Sequence, residues 1–408
     1  MAKKRTRTIE EVDRISKLPK EVITHILSFL PTKDAVRTCV LSKHWKLMWY
    51  YVPKLFFPTA NTNGTSDWRK EFFDFVDKCL ERRKNFIPES TVISFEIQMG
   101  FLEKSLVGHI DEWLDFAVEN KVKQIKLCLA LGRCESNKIY YYPLPEKLVL
   151  KGRYLTKLEL SKVELDSNYS FDFPSLKLLS LCFVWFKNND VVDKLLLGCP
   201  SLENLKLSKC CGLIRGGLRF RSLSLKFLQI ESHSDILVQI EAMNLESLEL
   251  YCFSFEKMNL SLGKVMRNLV LVCDWGMKES LLLENLISNL PQLENLTLCD
   301  SKVLQLKNLK ILNHHLKSLK LRFSNITLED EPKVIVEASK LESFCYEGNM
   351  KHSVSIVSSN LLNGKFIILN QSKNYDTNWF VGMMNFFAKL NCSWNKVNLH
   401  IDSEKVCF

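Results

Sequence analysis

The side chains best suited to covalent or metal chemistry are present but badly spaced for it. The 408 residues include 14 cysteines, yet no two form a C-x-x-C pair. The only close pair, Cys210-Cys211, has an adjacency that suits neither a zinc site nor an ordinary disulfide. The eight histidines are scattered, with His314-His315 as the one adjacent pair, at an expected solvated turn. No segment matches G-x-G-x-x-G, the P-loop, G-x-S-x-G or H-E-x-x-H. Carboxylate pairs such as Asp111-Glu112 read as the first turn of a helix, where acids complement the dipole. The expectation is therefore no catalytic residue, no metal and no cofactor.

The chemistry that remains is non-covalent, and leucine carries it. Of 65 leucines, 44 fall in residues 151–350. Aligned at i, i+3 and i+5 they give Leu155/Leu158/Leu160, Leu176/Leu179/Leu181, Leu202/Leu205/Leu207, Leu225/Leu228/Ile230 and Leu245/Leu248/Leu250. The series continues with Met266/Leu269/Leu271, Leu293/Leu296/Leu298, Leu316/Leu319/Leu321 and Leu341/Phe344/Tyr346. Starts are 20 to 27 residues apart, which is the period of a leucine-rich repeat. Two degenerate copies precede them, Val92/Phe95/Ile97 and Val122/Ile125/Leu127.

Such a pattern dictates its own elements. The last two apolar positions of each triplet lie two apart, so they share one side of a short strand, and the residue between them faces the other. One repeat cannot bury its apolar side alone, but stacked neighbours build a continuous core. Between strands, Asp190–Leu197 and Glu279–Ile287 look helical, and Pro200 and Pro291 follow them where a helix should have stopped. Cys128, Cys182, Cys210, Cys252, Cys273 and Cys299 each follow a strand closely, where a small buried thiol suits the repeat.

The open side of those strands is the expected binding face. It would present Lys157/Glu159, Leu178/Ser180, Asn204/Lys206, Phe227/Gln229, Ser247/Glu249, Asn268/Val270, Asn295/Thr297 and Ser318/Lys320. Leu178, Phe227 and Val270 are apolar where water is expected, and Phe183, Tyr251 and Phe323 join them just past their strands. These six are the candidate anchors for a protein substrate. A strand register shifted by one would instead turn each into core.

Residues 13–56 read differently. Pro19 suits a helix start, and Val22, Ile23, Ile26, Leu27 and Leu30 form one apolar stripe that Pro31 ends. Thr32 is a candidate cap for a second helix with Ala35, Val36, Cys39 and Val40 inward; Ser42 is one for a third carrying Trp45, Leu47, Met48 and Trp49. Three helices in so short a stretch bury little, so an obligate interface is expected. This end also holds the charge: 12 Lys/Arg against 5 Asp/Glu in residues 1–56, giving +7 of the net +10. The body carries only +3, which argues against a nucleic-acid surface. No apolar leader and no run of 18 apolar residues is present, so free thiols in the cytoplasm and/or nucleus are expected and no membrane partner.

The residues Asp13-Arg-Ile-Ser-x-Leu-Pro19, Ile26-Leu-Ser-Phe-Leu-Pro-Thr-Lys33, Ala35-Val36, Val40-Leu-Ser-Lys43, Trp45 and Trp49 resemble the F-box of plant F-box/leucine-rich-repeat proteins. Val52-Pro53, the Trp68–Leu80 helix, Trp113–Val118 and Ser339–Gly348 are also similar to that family. The resemblance implies an F-box domain over 9–56, a helical connector over 57–91, repeats over 92–348 and a C-terminal capping repeat over 349–408. The implied fold class is α/β, a small three-helix module followed by a solenoid with a curved parallel sheet and convex-side helices.

It further implies a non-enzymatic substrate-recognition subunit of a cullin–RING ubiquitin ligase, with the F-box on a Skp-type adaptor. Cullin and RING subunits would join through that adaptor, and the repeats would hold an unknown protein. The implied adaptor-facing residues are Leu18, Pro19, Val22, Ile26, Leu27, Leu30, Pro31, Val36, Val40, Leu41 and Trp45. Lys20, His44 and Cys39 depart from the family's common acid, Arg and Ser. The alternative is a scaffold of the same architecture that binds proteins without assembling a ligase.

Overall fold

All nine leucine triplets become parallel strands. The computed structural model describes residues 17–59, 67–86, 92–100, 104–129, 140–188, 190–212, 217–232, 237–254, 257–274, 280–300, 308–323, 333–350, 352–369 and 375–402. Residues 1–16, with the basic tail and Asp13–Ser16, lie outside the described residues, as do the side chains of Cys252 and Cys273. Two compact units divide the chain at residues 163/164.

The first unit starts with helices α1 (Lys20–Ser28), α2 (Thr32–Arg37) and α3 (Trp45–Met48). Then follow β1 (Lys54–Pro58), α4 (Asp67–Phe86), β2 (Ser94–Met99), α5 (Val107–Glu119), β3 (Gln124–Leu129), α6 (Glu146–Lys151) and β4 (Lys157–Ser161). The four strands pair in parallel in chain order. β2 and β3 are the two degenerate triplets. β1 buries Leu55 and Phe57, a single alternating pair too short to announce a strand. Helices α4 and α5 meet through Phe73 stacked on Trp113 at 5.0 Å, and the Trp113 indole donates to Asp77 at 2.6 Å. Asp111 is not in the first turn of α5; it sits a turn further in and accepts the Tyr142 hydroxyl at 2.5 Å.

The second unit carries β5 (Leu178–Cys182), β6 (Asn204–Ser208), β7 (Phe227–Glu231), β8 (Ser247–Ser254) and β9 (Asn268–Asp274). They continue as β10 (Asn295–Asp300), β11 (Ser318–Arg322), β12 (Ser343–Gly348), β13 (Leu362–Leu369) and β14 (Trp394–Asp402). All pair in parallel, each with the next. Each triplet's apolar positions are at most 2% exposed, and burying one such side chain is worth roughly 1.5–3 kcal/mol. That repeated gain holds the stack together.

A second ladder runs along the strand starts. The residue after each leading Leu or Met alternates in sign: Lys177, Glu203, Lys226, Glu246, Arg267, Glu294, Lys317, Glu342. From Lys177 to Lys317 its carbonyl accepts two amides from the next repeat, as when Lys177 O takes Glu203 N at 3.0 Å and Asn204 N at 2.9 Å, and Glu342 O takes Asn363 N at 2.9 Å. Side chains close ion pairs across repeats at Lys177–Glu203 (3.5 Å), Lys226–Glu203 (3.0 Å) and Lys317–Glu294 (3.1 Å).

The other layer differs from the helical expectation in an orderly way. Helices α7 (Val191–Gly198) and α8 (Ser280–Ser288) occupy the two longest intervals between triplets, 26 and 27 residues. Shorter intervals hold strands instead: Leu218–Arg221, Val238–Ala242 and Met258–Leu262 form one parallel trio. Asn308–Leu312, Lys333–Glu337 and Ser353–Val357 form another. A strand rises about 3.3 Å per residue against 1.5 Å for a helix, so it crosses the same distance with fewer residues. At the C-terminal end α9 (Thr377–Lys389) is capped by Asp376, which accepts Trp379 N at 2.8 Å. The edge strand β14 leaves Val397, Leu399 and Ile401 exposed.

Candidate binding surfaces

The N-terminal helices are apolar on more than one side. Ile23 and Leu27 of α1 are fully buried, with Ala35, Trp45, Met48 and Trp49, and form the module's core. The five-residue stripe on α1 is wider than its short neighbours can cover, so Val22 and Ile26 stay about 40% exposed. Of the candidate adaptor-facing residues, Pro19, Val40 and Leu41 are exposed, Leu18, Leu30, Pro31 and Val36 half-buried, and Leu27 and Trp45 buried. Val40, expected inward, is 84% exposed, because α2 ends at Arg37 and residues 38–40 tighten into a 3-10 turn that rotates it outward. Phe29 is exposed, and so is Leu47, which the third helix carries beside the buried Trp45, Met48 and Trp49.

Local contacts fix this module within its unit. Thr32 does not cap α2; its hydroxyl accepts Phe56 N at 2.8 Å, tying the helix to β1. Ser42 Oγ does accept Trp45 N, at 3.3 Å. Arg83 of α4 is 1% exposed and donates to Val52 O at 2.6 Å and Trp49 O at 3.4 Å. Burial lowers the Arg83 pKa to about 10. Lys20 sits 3.1 Å over the Tyr51 ring, so the departure from an acid there is matched by a cation–π contact.

On the second unit, register pins which side chains share the open face. One lateral row reads Leu178, Asn204, Phe227, Ser247, Asn268, Asn295, Ser318 and Ser343. The next reads Ser180, Lys206, Gln229, Glu249, Val270, Thr297, Lys320, Cys345 and Lys365. The third reads Cys182, Ser208, Glu231, Tyr251, Val272, Cys299, Arg322 and Glu347. Leu178, Phe183, Phe227, Tyr251 and Val270 are half-buried and open-faced. Lysines shield two of the rings: Lys206 Nζ lies 5.2 Å from the Phe227 centroid and Lys209 Nζ 5.7 Å from that of Phe183. Tyr251 donates to Glu249 at 3.0 Å, and burial together with that carboxylate pushes its hydroxyl up to about 12.

Phe323 belongs to the core. It stands at the same offset from its strand as Phe183, but Phe183 takes a left-handed φ of +52° and stays half-exposed. Phe323 is 2% exposed, stacked on His352 at 4.5 Å and edge-on to Tyr346. Of the thiols after the strands, Cys299 is buried and Cys128, Cys182 and Cys210 half-buried. Burial pushes Cys210 up to about 12. Among the described residues no group of three or more His, Cys, Asp or Glu is placed to hold a metal ion, and no helix is long and apolar enough to cross a membrane.

Comparison with known proteins places both surfaces in a context. The family described as At1g61320/AtMIF1, LRR domain, matches residues 90–344, and the F-box domain matches residues 15–57. Among curated proteins of Arabidopsis thaliana, the chain is similar to the FBD-associated F-box protein At5g53635, 32% identical over 237 residues, covering 55% of this chain and 51% of that one. It is likewise similar to the F-box/FBD/LRR-repeat protein At1g78750, 31% identical over 259 residues, covering 60% and 54%. The F-box protein At3g59000 is 30% identical over 253 residues, covering 60% and 48%. The chain thus spans about half the length of the curated relatives it matches.

Proposed function

The chain belongs to the plant F-box/leucine-rich-repeat family, and from that premise we propose that it is a substrate-recognition subunit of a cullin–RING ubiquitin ligase. The F-box docks on a Skp-type adaptor, which brings cullin and RING subunits, and the open face of the repeats holds a target protein. Transfer is performed elsewhere in the complex; this chain supplies proximity by fixing a target lysine near the conjugating enzyme.

The observation carrying the reading is the excess apolar surface of the N-terminal helices. Val22, Ile26, Phe29, Val40, Leu41 and Leu47 are each more than 40% exposed while the module's core is already closed beneath them. Large exposed apolar groups on so small a module mark a protein interface. The test is co-purification of the full chain with a Skp-type adaptor, comparing wild type with Leu18→Ala/Pro19→Ala and Val22→Asp/Ile26→Asp. Wild type should retain the adaptor and both variants lose it. A wild-type chain that fails to retain the adaptor removes the ligase reading.

A further inference from the structure

We propose that the open face between β8 and β13 binds an extended acidic peptide segment of the target, its apolar side chain on Tyr251, Val270 and Val272 and its carboxylates on Lys320 and Lys365. The proposal rests on the reading of this face as the one that holds the target.

Three observations carry it. The first is uncompensated charge. Lys320 and Lys365 share one lateral row with only Cys345 between them, so their strands stand two spacings, about 10 Å, apart. Neither makes an ion pair among the described residues, whereas Arg322, two residues along β11 from Lys320, is paired to Glu347 at 2.9 Å. Half-buried Lys320 and exposed Lys365 are therefore open to pair with a carboxylate.

The second observation is the apolar ground beside them. Val270 and Val272 face outward from β9, next to Tyr251 of β8, in a sheet face otherwise mostly polar. The third is the sign of what lies beyond: Glu231 and Glu249 stand on the opposite flank of that ground. An acidic segment with an apolar residue can therefore settle in one direction only, its acids toward β11 and β13.

The spacing selects a conformation. Val270 to Lys320 is two strand spacings and Val270 to Lys365 is four, about 10 and about 19 Å. A polyproline II chain has three residues per turn and a rise of about 3.1 Å, so its positions i, i+3 and i+6 share one side at about 9 and about 19 Å. The fitting segment carries an apolar residue with acids three and six residues away on one side.

The test uses the purified full chain and fluorescein-labelled peptides in a Pro/Ser/Gln background. One peptide carries leucine with glutamates three and six residues after it, one has the same residues in reverse order, one has glutamates two and five residues away, and one has lysines for glutamates. Anisotropy titration should show one of the two in-phase peptides binding at least tenfold tighter than the lysine peptide and tighter than the out-of-phase one. Lys320→Glu/Lys365→Glu should reverse the preference between glutamate and lysine peptides. Raising salt from about 50 to about 500 mM, which shortens electrostatic reach severalfold, should weaken the wild-type complex at least fivefold.

Equal binding of acidic and basic peptides, no binding of either in-phase peptide, or a preference that survives charge reversal would overturn the proposal. Adaptor co-purification is read on the same samples: its loss with peptide selectivity intact removes the ligase assignment and leaves the peptide site standing. The reverse result removes the peptide site alone.

Discussion

Lowering pH should destabilise the second unit through one imidazole, and the geometry sets how much. His352 is fully buried. The Tyr346 hydroxyl donates to Asn349 O, so at 2.9 Å the Tyr346 oxygen is left to accept from His352 Nδ1–H. Nε2 then carries only its lone pair, has no hydrogen-bond partner among the described residues, and the ring lies flat against Phe323. Protonation would place a buried N–H where none of the described residues accepts it. Burial accordingly lowers the His352 pKa to about 4, from an unfolded value near 6.5. Above about pH 6.5 both folded and unfolded chains hold the neutral ring, and stability is intact. Below it the unfolded chain binds a proton that the folded chain refuses, and stability falls by up to 1.4 kcal/mol per pH unit until about pH 4. Between pH 7 and pH 5 the loss is about 2 kcal/mol. Urea unfolding followed across that range, for wild type and His352→Asn, isolates the effect, since carboxylates titrate in both. Asn keeps a donor toward Tyr346 but cannot protonate, so it should be less stable at pH 7 and flatter with pH. Parallel curves for the two proteins would refute this account of the buried ring.

Other substitutions separate core from face. Phe323→Ala should cost about 3–5 kcal/mol in chemical denaturation, while Phe227→Ala, half-exposed beneath Lys206, should cost under about 1 kcal/mol. Val22→Asp/Ile26→Asp should abolish adaptor co-purification with an unchanged melting curve, whereas Ile23→Ala, fully buried on the same helix, should lower stability by about 2–5 kcal/mol. Gly263→Ala would place a Cβ 1.7 Å from Met243 O, a backbone atom, and should destabilise by at least about 1–3 kcal/mol in thermal melts.

Much of the repeat unit is legible in sequence because a strand's period of two fixes faces as soon as the leucines are aligned. The triplets thereby place Lys320, Val270 and Phe227 on the open side. Other features need tertiary information. The outer strands at 218–221 or 333–337 are four or five residues long, too short for alternation to stand out, although the interval lengths separate them from the helices. Phe183 and Phe323 share a sequence offset, and only the backbone twist at Phe183 sends them to opposite fates. On α1, periodicity finds the stripe but not its division into buried Ile23 and Leu27 and exposed Val22 and Ile26, which depends on how little α2 and α3 can cover. Arg83 is the reverse case: a basic residue in a polar helix gives no hint that it will be buried against Trp49 and Val52 carbonyls.

The alternation of Lys177, Glu203, Lys226, Glu246, Arg267, Glu294, Lys317 and Glu342 gives the array a parity. Excising one repeat from its interior would set two cations or two carboxylates side by side on adjacent strand starts, each repelling where it formerly attracted. Excising two restores opposite neighbours. The same holds for duplication, so this array can lengthen or shorten smoothly only in steps of two, and a chain carrying an odd change should betray it by a reversed charge at the junction.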